Sequence, residues 1–513
     1  VEICRRLDGI PLAIELAASR MASMTAGEVR DRLDHRFRLL VGCRRGLARH
    51  QTLRHAVAWS YELLDDTEKA LLDRCSVFAG GFDLESACAI MGSDDDFPVL
   101  DLLDALVRKS LLIADRSSGR TRFSMLETIR QFAEEQLVAG GEASEIRAAH
   151  SRYFAGREAD IMALWDSPRQ LEAFDWFTLE LANLRTAYRW AADYGDLDVA
   201  AIIATYVGLL GAGVQSYEPI AWAEELIQPA RVADHPRLAF LYAIASQCWN
   251  PGRIEAAVGY ADAGQIVVGR SRDALPYGFE AWLGVVYLVI GQPERLVEWC
   301  RAQLVRRRDT HVLIRGWLVA SLALAGSGGE AMDCAEGIIE AAEATGNPFS
   351  LGWALFAYGV AFREADPVGA LNALGRGLVV AQDSGNSSGA SAAADFLARL
   401  EAEHGDTVSA LGHLTLAIRN YHNAGDTTTM RLPLAVLAVL FDRLGRYEPA
   451  ATIAGFALSP LTAVATPEIN TLISHLRDVL GDHIYESLAR KGETMTTAAM
   501  ATYAYDQIDQ ART

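Results

Sequence analysis

The stretch GDTVSALGHL, residues 405–414, contains the pattern that decides the fold of most of this chain. Gly405 opens the stretch, and Ala410 and Leu414 follow five and nine positions later. These two later positions are four residues apart, so on a helix they lie on the same face. Small side chains on that face let a second helix approach closely. The stretch therefore predicts a turn followed by a helix that packs tightly against a neighbour.

The same pattern recurs along residues 146–462. Its seven anchors, each with the residues five and nine positions later, are Gly195 (Ala200, Ala204), Gly252 (Ala257, Ala261), Gly291 (Leu296, Cys300), Gly326 (Ala331, Ala335), Ala365 (Ala370, Leu374), Gly405 (Ala410, Leu414) and Gly445 (Ala450, Ala454). From the second anchor on, the spacings are 39, 35, 39, 40 and 40 residues. Such a period predicts stacked helix–turn–helix units. Tetratricopeptide (TPR) repeats have a period of about 34 residues, so we describe these longer units as TPR-like.

A different pattern fills residues 51–145. Asp65 and Glu68 have the spacing of a capping box at the start of a helix. A further helix is predicted over 98–108, followed by a strand, a polar turn and a second strand over 111–125. Short helices with a terminal hairpin are typical of a winged helix. The predicted fold is therefore mainly α, a winged-helix domain followed by a TPR-like α-helical superhelix.

Composition narrows the functional classes. The chain has 513 residues, 51% of them hydrophobic, and a formal net charge of −19. No apolar run reaches the length of a membrane span, and no signal peptide is recognisable. Seven scattered cysteines favour reduced thiols and a cytoplasmic location. Residues 51–150 hold ten basic and eighteen acidic residues, a net −8, which disfavours DNA binding by the winged helix.

The first residues have a signal of their own. In LDGIPLAIELAA, residues 7–18, Gly9 is typical of a helix end and Pro11 of the first turn of the next helix. Spacing alone predicts an ordinary corner between two helices.

Taken in order, these segments resemble the NB-ARC/STAND-type ATPase regulators of actinobacteria. LDGIPLAIELAASRM resembles their Gly-x-Pro segment, and HQTLRHAVAWSYELLDDTEKALLDRCSVFAGGFDLESACAI their winged helix. LVRKSLL and RFSMLETIRQFAEEQL continue the match in the same order. The family combines a nucleotide-binding domain, a winged helix and helical repeats. Some members add a LuxR-type helix-turn-helix at the end or a nucleotide-cyclase domain in front.

The resemblance implies a domain organisation. The expected parts are the last helices of an incomplete nucleotide-binding domain (1–50), a winged helix (51–145), TPR-like repeats (146–462) and C-terminal capping helices (463–513). On this interpretation the chain is a fragment or a truncated gene product, and its P-loop lies upstream. We therefore expect no enzymatic activity from this chain, although the complete parent protein can be an ATPase.

The resemblance also implies a nucleotide contact. In a complete protein, Gly9, Pro11 and Leu12 would lie on the adenine side of bound ATP or ADP. Many relatives carry a Met-His-Asp triplet whose histidine approaches the ADP phosphate. The aligned residues here are Met125, Leu126 and Glu127, and a leucine cannot donate that hydrogen bond. Glu127 is expected instead to stabilise the start of its helix, because its negative charge lies at the positive end of the helix dipole. This chain alone is not expected to bind nucleotide tightly.

Two further motif matches are expected to be accidental. GQIVVGRS, residues 264–271, resembles a P-loop, but Arg270 stands in place of the essential lysine and the stretch falls at the end of a repeat helix. GNSSG, residues 385–389, resembles a nucleophile elbow, which requires a strand-to-helix turn that an all-helical region does not supply. No metal-ligand spacing is convincing.

Three functions compete. The first is a signal-transducing regulator whose repeats sense a ligand or protein partner, and the second is an interaction scaffold without nucleotide or DNA binding. The third is DNA binding by the winged helix, whose basic residues gather near the wing. Five repeat tryptophans bear on the first function, because they either form core or line a concave ligand surface: Trp249, Trp282, Trp299, Trp317 and Trp353. No membrane partner is expected, and a homo-oligomer is left open.

Overall fold

Two units make up the computed structural model of this chain. Unit 1 takes in Val1–Arg157 and Glu180–Ala200, and unit 2 takes in Glu158–Leu179 and Ala201–Thr513. The described residues are 2–6, 14, 18, 21, 24–31, 54, 57–117, 119–270, 274–306 and 309–512.

Up to residue 157, the described part of unit 1 contains short helices and one hairpin. Its elements are α1 (Glu2–Arg6), α2 (Ala26–Asp31), α3 (Asp66–Cys75), α4 (Leu84–Met91), α5 (Asp96–Arg108), β1 (Ile113–Asp115), β2 (Arg122–Ser124), α6 (Glu127–Ala139) and α7 (Ala143–Gly156). The two strands are antiparallel, and Ala114 is opposite Phe123. This order of helices followed by a short hairpin is that of a winged helix.

Capping side chains stabilise the first residues of two helices in the winged helix. The predicted capping box is present, since the Asp65 side chain accepts from the backbone N–H of Glu68 at 2.8 Å and the Asp65 N–H donates to the Glu68 carboxylate at 3.0 Å. Such a cap contributes about 1 kcal/mol. Helix α5 begins at Asp96, two residues before the predicted start, because Asp95 caps it by accepting from the Phe97 N–H at 3.1 Å.

The hairpin is shorter than the predicted span of 111–125. Ser110 has a φ of 58°, which turns the chain sharply after α5. Leu111 and Leu112 are buried in this turn and do not pair as strand residues. Phe82 pairs with Phe123 as an isolated bridge and so extends the wing.

The rest of the chain is helical in its described part. The α-helices are α8 (Glu158–Trp165), α9 (Gln170–Asp193), α10 (Leu197–Gly213), α11 (Glu218–Val232), α12 (Leu238–Ala245), α13 (Ile254–Arg270), α14 (Trp282–Val289), α15 (Pro293–Arg306), α16 (Leu313–Leu324), α17 (Gly328–Ala335), α18 (Ile338–Glu343), α19 (Pro348–Phe362), α20 (Pro367–Asp383), α21 (Ser387–Glu403), α22 (Thr407–Ala424), α23 (Arg431–Arg443), α24 (Tyr447–Ala457), α25 (Pro460–Ala465), α26 (Glu468–Leu480), α27 (Asp482–Glu493) and α28 (Thr497–Arg512). Two 3₁₀ helices, Ser246–Trp249 and Pro276–Ala281, lie among them. None of the described helices is long and apolar enough to cross a membrane.

The repeat pattern explains how these helices pair. All fourteen side chains five and nine positions after the anchors are at most 1% exposed. Gly405 has a φ of +90°, a conformation that strains other residues, so the glycine ends one helix and lets α22 begin after a sharp turn. The mainly α fold class is therefore confirmed, with a winged helix and TPR-like helical repeats.

Candidate functional site

A cavity of about 140 Å³ lies within unit 2. Its walls come chiefly from α14, α16, α19 and α21, each of which is the first helix of a repeat. The aromatic residues among its lining are Tyr217, Trp249, Trp282, Trp317, Phe349, Trp353, Phe356, Phe396 and Tyr421. We call it the tryptophan cavity. Binding sites for small molecules are typically concave and apolar in this way, with a few placed polar groups.

The repeat geometry brings the tryptophans together. Trp282 and Trp317 each lie nine residues before a repeat anchor, Gly291 and Gly326 respectively, so successive first helices present the same position. The Trp317 and Trp353 rings are 4.5 Å apart between centroids. The repeats thus bring aromatic side chains that are distant in sequence to one cavity.

Three of the lining tryptophans have polar atoms without a partner. The indole N–H groups of Trp249, Trp317 and Trp353 are buried and make no hydrogen bond to the protein. A buried polar group left unpaired costs about 1–3 kcal/mol. Trp299 differs, because its indole N–H donates to the Glu280 carbonyl at 2.7 Å and it does not line the cavity. Four of the five tryptophans considered in the sequence analysis therefore line the cavity, while the fifth packs elsewhere.

Asp395 provides a buried carboxyl group at the cavity wall. Its side chain is 3% exposed, and its Oδ1 atom has no hydrogen-bond partner. Burial raises the pKa of this carboxyl to about 7, and the charge of Arg399 opposes that rise. Arg399 is itself bonded to the Glu403 and Glu468 carboxylates and to the Ala465 carbonyl. The Arg399 guanidinium therefore lies near Asp395, but its N–H groups donate to other acceptors.

A second carboxyl group, Asp426, also lines the cavity, but its oxygens are engaged. Its Oδ1 accepts from the backbone N–H groups of Thr428 and Thr429 at 3.2 and 2.8 Å. Its Oδ2 accepts from the Tyr217 hydroxyl at 3.1 Å. Burial raises the pKa of Asp426 to about 6, and these hydrogen bonds oppose the rise. Asp426 thus fixes the loop that follows α22.

That loop closes the cavity on one side. The backbone N–H groups of Thr427 and Thr428 donate to the Asn250 carbonyl at 3.1 and 3.3 Å. The Thr428 hydroxyl donates to the carbonyl of Trp249 at 2.6 Å. The loop after α22 and the segment at Trp249 and Asn250 are therefore joined beside the cavity. A change in the position of one of these segments can move the other.

The lining has a one-sided charge. It contains the carboxyl groups of Asp395 and Asp426, and none of its residues, all in the described part of unit 2, is a lysine, arginine or histidine. No group of three or more potential metal ligands occurs among the described residues. The cavity thus offers hydrogen-bond donors, an aromatic wall and an acidic group.

Helix α5 of the winged helix carries acidic side chains on its exposed surface. On α5, Asp101 and Asp104 are exposed. The basic pair at its end is engaged, because Arg108 forms an ion pair with Asp104 and the Lys109 Nζ lies 2.5 Å from the Glu68 carboxylate. Exposed carboxylates of this kind repel nearby DNA phosphates. The buried side chains of α5 are Val99, Leu103 and Leu106, while Leu102 and Val107 are partly exposed.

The nucleotide-contact residues predicted by resemblance, Gly9, Pro11 and Leu12, lie outside the described residues. Their role stays a prediction, as do the domain boundaries. The aligned phosphate-contact position, Leu126, is the N-cap residue of α6 and makes no side-chain cap bond. Glu127 lies in the first turn, as expected, and pairs with Arg130 at 2.7 Å.

The two accidental motif matches have ordinary helical surroundings. Gly264 to Arg270 belong to α13, and Gly264 lies against Leu283, so this part of the segment does not form a phosphate loop. In the other match, Gly385 has a φ of +76° and Asn386 caps α21 by accepting from the Gly389 N–H at 2.9 Å. No strand adjoins either segment in the part of the chain that the structure describes.

Sequence reasoning did not single out Asp395. The residue lies in an alanine-rich helix without a motif around it, and its burial depends on helices from several repeats. One signal was available, since a charged residue in the apolar run SAAADFLARL (391–400) is unusual for a helix that is buried along its length.

Comparison with known proteins agrees with the winged helix. Residues 64–138 match the family model described as a winged helix-turn-helix domain. A proposed HTH-type transcriptional regulator of Mycobacterium tuberculosis (strain H37Rv) is 43% identical over 234 residues, which are 45% of this chain and 26% of that protein. Its counterpart in Mycobacterium bovis has the same identity and coverage. The chain thus matches about a quarter of the length of these relatives. The predicted resemblance to actinobacterial regulators with a winged helix is confirmed at this level.

One solved structure resembles this chain with a low TM-score. It is a Signal Transduction ATPase with Numerous Domains (STAND) protein with a tetratricopeptide repeat sensor, from Pyrococcus horikoshii. The TM-score is 0.43 at 16% identity, over 97% of this chain and 74% of the other.

Proposed function

We propose that this chain is the sensory part of a signal-transducing regulator, and that its helical-repeat unit binds a small molecule in the tryptophan cavity. The observation that carries the proposal is a group of unpaired polar atoms in that cavity, which includes the indole N–H groups of Trp249, Trp317 and Trp353 and the Oδ1 of Asp395. A purely structural core avoids such groups because each one costs free energy. A ligand that bonds to them removes this cost on binding.

The regulatory role is supported by the relatives. The mycobacterial proteins carry the name of transcriptional regulators, and they share a stretch of 234 residues with this chain at 43% identity. In the proposed mechanism, the ligand contacts helices of several repeats together with the loop around Thr428. Binding therefore favours one arrangement of the repeats over another, which is the general requirement for a switch. In the complete parent protein, ATP or ADP is proposed to read out that change.

Two alternatives make different predictions. An interaction scaffold would bind a protein partner and leave the cavity without a small-molecule ligand. Direct DNA binding is disfavoured by the exposed carboxylates Asp101 and Asp104 on α5. The cavity favours the sensor over both, since neither alternative requires unpaired polar groups there.

The proposal is tested with the purified chain and a panel of single-ring aromatic amines, alcohols and carboxylates at millimolar concentration. Tryptophan fluorescence and the thermal midpoint report binding. We expect at least one class to bind and Ala392→Leu to abolish this binding, because Ala392 lines the cavity and a larger side chain fills it. The control is Ala499→Leu, which changes an exposed alanine of α28. Absence of binding by every class to the folded wild-type chain contradicts the proposal.

A further inference from the structure

The charges around the tryptophan cavity restrict what it accepts. Its only ionisable carboxyl groups, among lining residues that are all described, are Asp395 and Asp426, and no basic side chain lines it. An anionic ligand would enter an apolar site without a counter-charge, at a large cost in free energy. A cation would meet a carboxylate there. The lining therefore selects for positive charge.

Only one of the two carboxyl groups is available to such a ligand. The oxygens of Asp426 accept bonds from Thr428, Thr429 and Tyr217. Asp395 keeps a buried Oδ1 without a partner, and the donors of Arg399 are directed to two other carboxylates and a backbone carbonyl. An ammonium group would supply Asp395 with the charge-assisted hydrogen bond that its own protein surroundings do not give.

The aromatic residues next to Asp395 strengthen this selection. Phe396 follows it in the chain and lies 5.0 Å from Phe356, measured between ring centroids. The Phe356 ring is in turn 5.2 Å from that of Trp353, and the Trp353 ring is 4.5 Å from that of Trp317. Aromatic faces attract cations, and most strongly where water is excluded. A row of rings that ends at a carboxyl group is the arrangement expected for an amine.

Size and hydrogen bonding set the remaining features of the ligand. A cavity of about 140 Å³ has room for roughly one aromatic ring. The unpaired indole N–H groups of Trp249, Trp317 and Trp353 require an acceptor, such as a hydroxyl or carbonyl oxygen. The small volume excludes a whole nucleotide or a folded peptide from the cavity.

We infer that the tryptophan cavity binds a small organic amine, with its ammonium group on Asp395, its apolar body against the Trp317 and Trp353 rings and an oxygen near the indole N–H groups. This inference rests on the proposed sensory function and names the ligand class. Asp395 is thus the residue that decides specificity by charge.

A series of probes of one size but different charge tests the inference on the full chain. Phenethylamine is the cation, tyramine adds a hydroxyl, 2-phenylethanol is neutral and phenylacetate is the anion. Isothermal titration at pH 8, where Asp395 is largely ionised, is expected to show phenethylamine binding at least tenfold more tightly than 2-phenylethanol. Tyramine should bind at least as tightly as phenethylamine, and phenylacetate should not bind measurably.

Variants of one residue complete the test. Asp395→Asn should weaken phenethylamine binding at least tenfold and change 2-phenylethanol binding less than twofold. Asp506→Asn, an exposed aspartate of α28, should change neither. Circular dichroism verifies that both variants fold. Equal binding of amine and alcohol, or an unchanged amine affinity in Asp395→Asn, overturns the inference and leaves the sensory function standing. If no probe binds the folded chain, the inference and the proposed function both fail.

Discussion

The Thr428 hydroxyl donates a hydrogen bond to the backbone carbonyl of Trp249, with 2.6 Å between the two oxygens, although 179 residues separate them in the chain. The bond joins the loop after α22 to a 3₁₀ helix at the edge of the tryptophan cavity. Asn250, the residue after Trp249, accepts two backbone bonds from the same loop. This junction holds one wall of the cavity in place.

Removing the hydroxyl should loosen the junction. We expect Thr428→Val to lower the free energy of unfolding by about 1–2 kcal/mol, because the Trp249 carbonyl loses its partner while the shape of the side chain is kept. Chemical denaturation monitored by tryptophan fluorescence measures this change. Thr502→Val is the control, since Thr502 is exposed and bonds only within its own helix. Equal stabilities of the two variants would contradict the assignment of a structural role to this bond.

The repeat anchors allow a test of backbone strain apart from packing. A Cβ atom on Gly405 would meet nothing within 4 Å, so packing does not require a glycine at this position. Its φ of +90° is the actual constraint. Gly405→Ala and Gly405→Leu should therefore cost nearly the same, about 1–2 kcal/mol.

Gly264 gives the opposite case. It lies inside α13, and a Cβ atom there would be 2.5 Å from the Leu283 side chain. Gly264→Leu should therefore destabilise the chain by clearly more than Gly264→Ala. Urea midpoints of the four variants decide the matter, and a large gap between the two Gly405 variants would show that packing matters at that turn as well.

The fold could be predicted further than the site. Gly405, Ala410 and Leu414 act through neighbours a few residues away, so their pattern is visible in the chain itself. The cavity instead depends on how much each repeat rotates relative to the previous one, which no single repeat encodes. Trp317 lies on the first helix of its repeat and lines the cavity, whereas Trp299 lies on a second helix and does not, and that difference has meaning only once the repeats are stacked. The burial of Asp395 at the cavity wall likewise depends on the first helices of several repeats, so the sequence around it does not predict its role.

Asp395 should also give the chain a characteristic pH dependence. Its pKa is raised from an ordinary value near 4 to about 7 in the folded chain, so between these limits the folded state holds a proton that the unfolded state has lost. The resulting stability is fully present below pH 4 and is lost as the pH rises through 7. Arg399, Asp426 and Tyr421 are the charged or titratable groups coupled to it or close to it in the cavity.

The comparison must be made against a variant, because the pKa of Asp426 is also raised, to about 6. We expect the stability of the wild type relative to Asp395→Asn to fall by on the order of a few kcal/mol between pH 5 and pH 8 and to be flat above that. Urea unfolding at half-unit steps measures the difference. Parallel curves for the two proteins would show that Asp395 does not titrate in this range.

The winged helix should bind duplex DNA only weakly. Asp101 and Asp104 are exposed on α5, Arg108 is paired with Asp104, and Lys109 is paired with Glu68. Non-specific binding has dissociation constants of roughly 10⁻⁴–10⁻⁶ M at physiological salt, and we expect the chain to bind no more tightly than that. Fluorescence anisotropy with a labelled duplex at about 0.15 M salt measures the affinity.

Charge reversal sharpens this test. The double variant Asp101→Lys, Asp104→Lys removes two repulsive groups, adds two cations and frees Arg108 from its partner. We expect it to bind DNA at least tenfold more tightly than the wild type and with a steeper loss of affinity as salt rises, because more counterions are released. Asp506→Lys, Asp509→Lys makes the same change of charge on α28 and should have little effect if position matters. If the wild-type chain binds DNA with a submicromolar constant, or if both double variants gain equally, then α5 does not govern DNA binding in the way its carboxylates indicate.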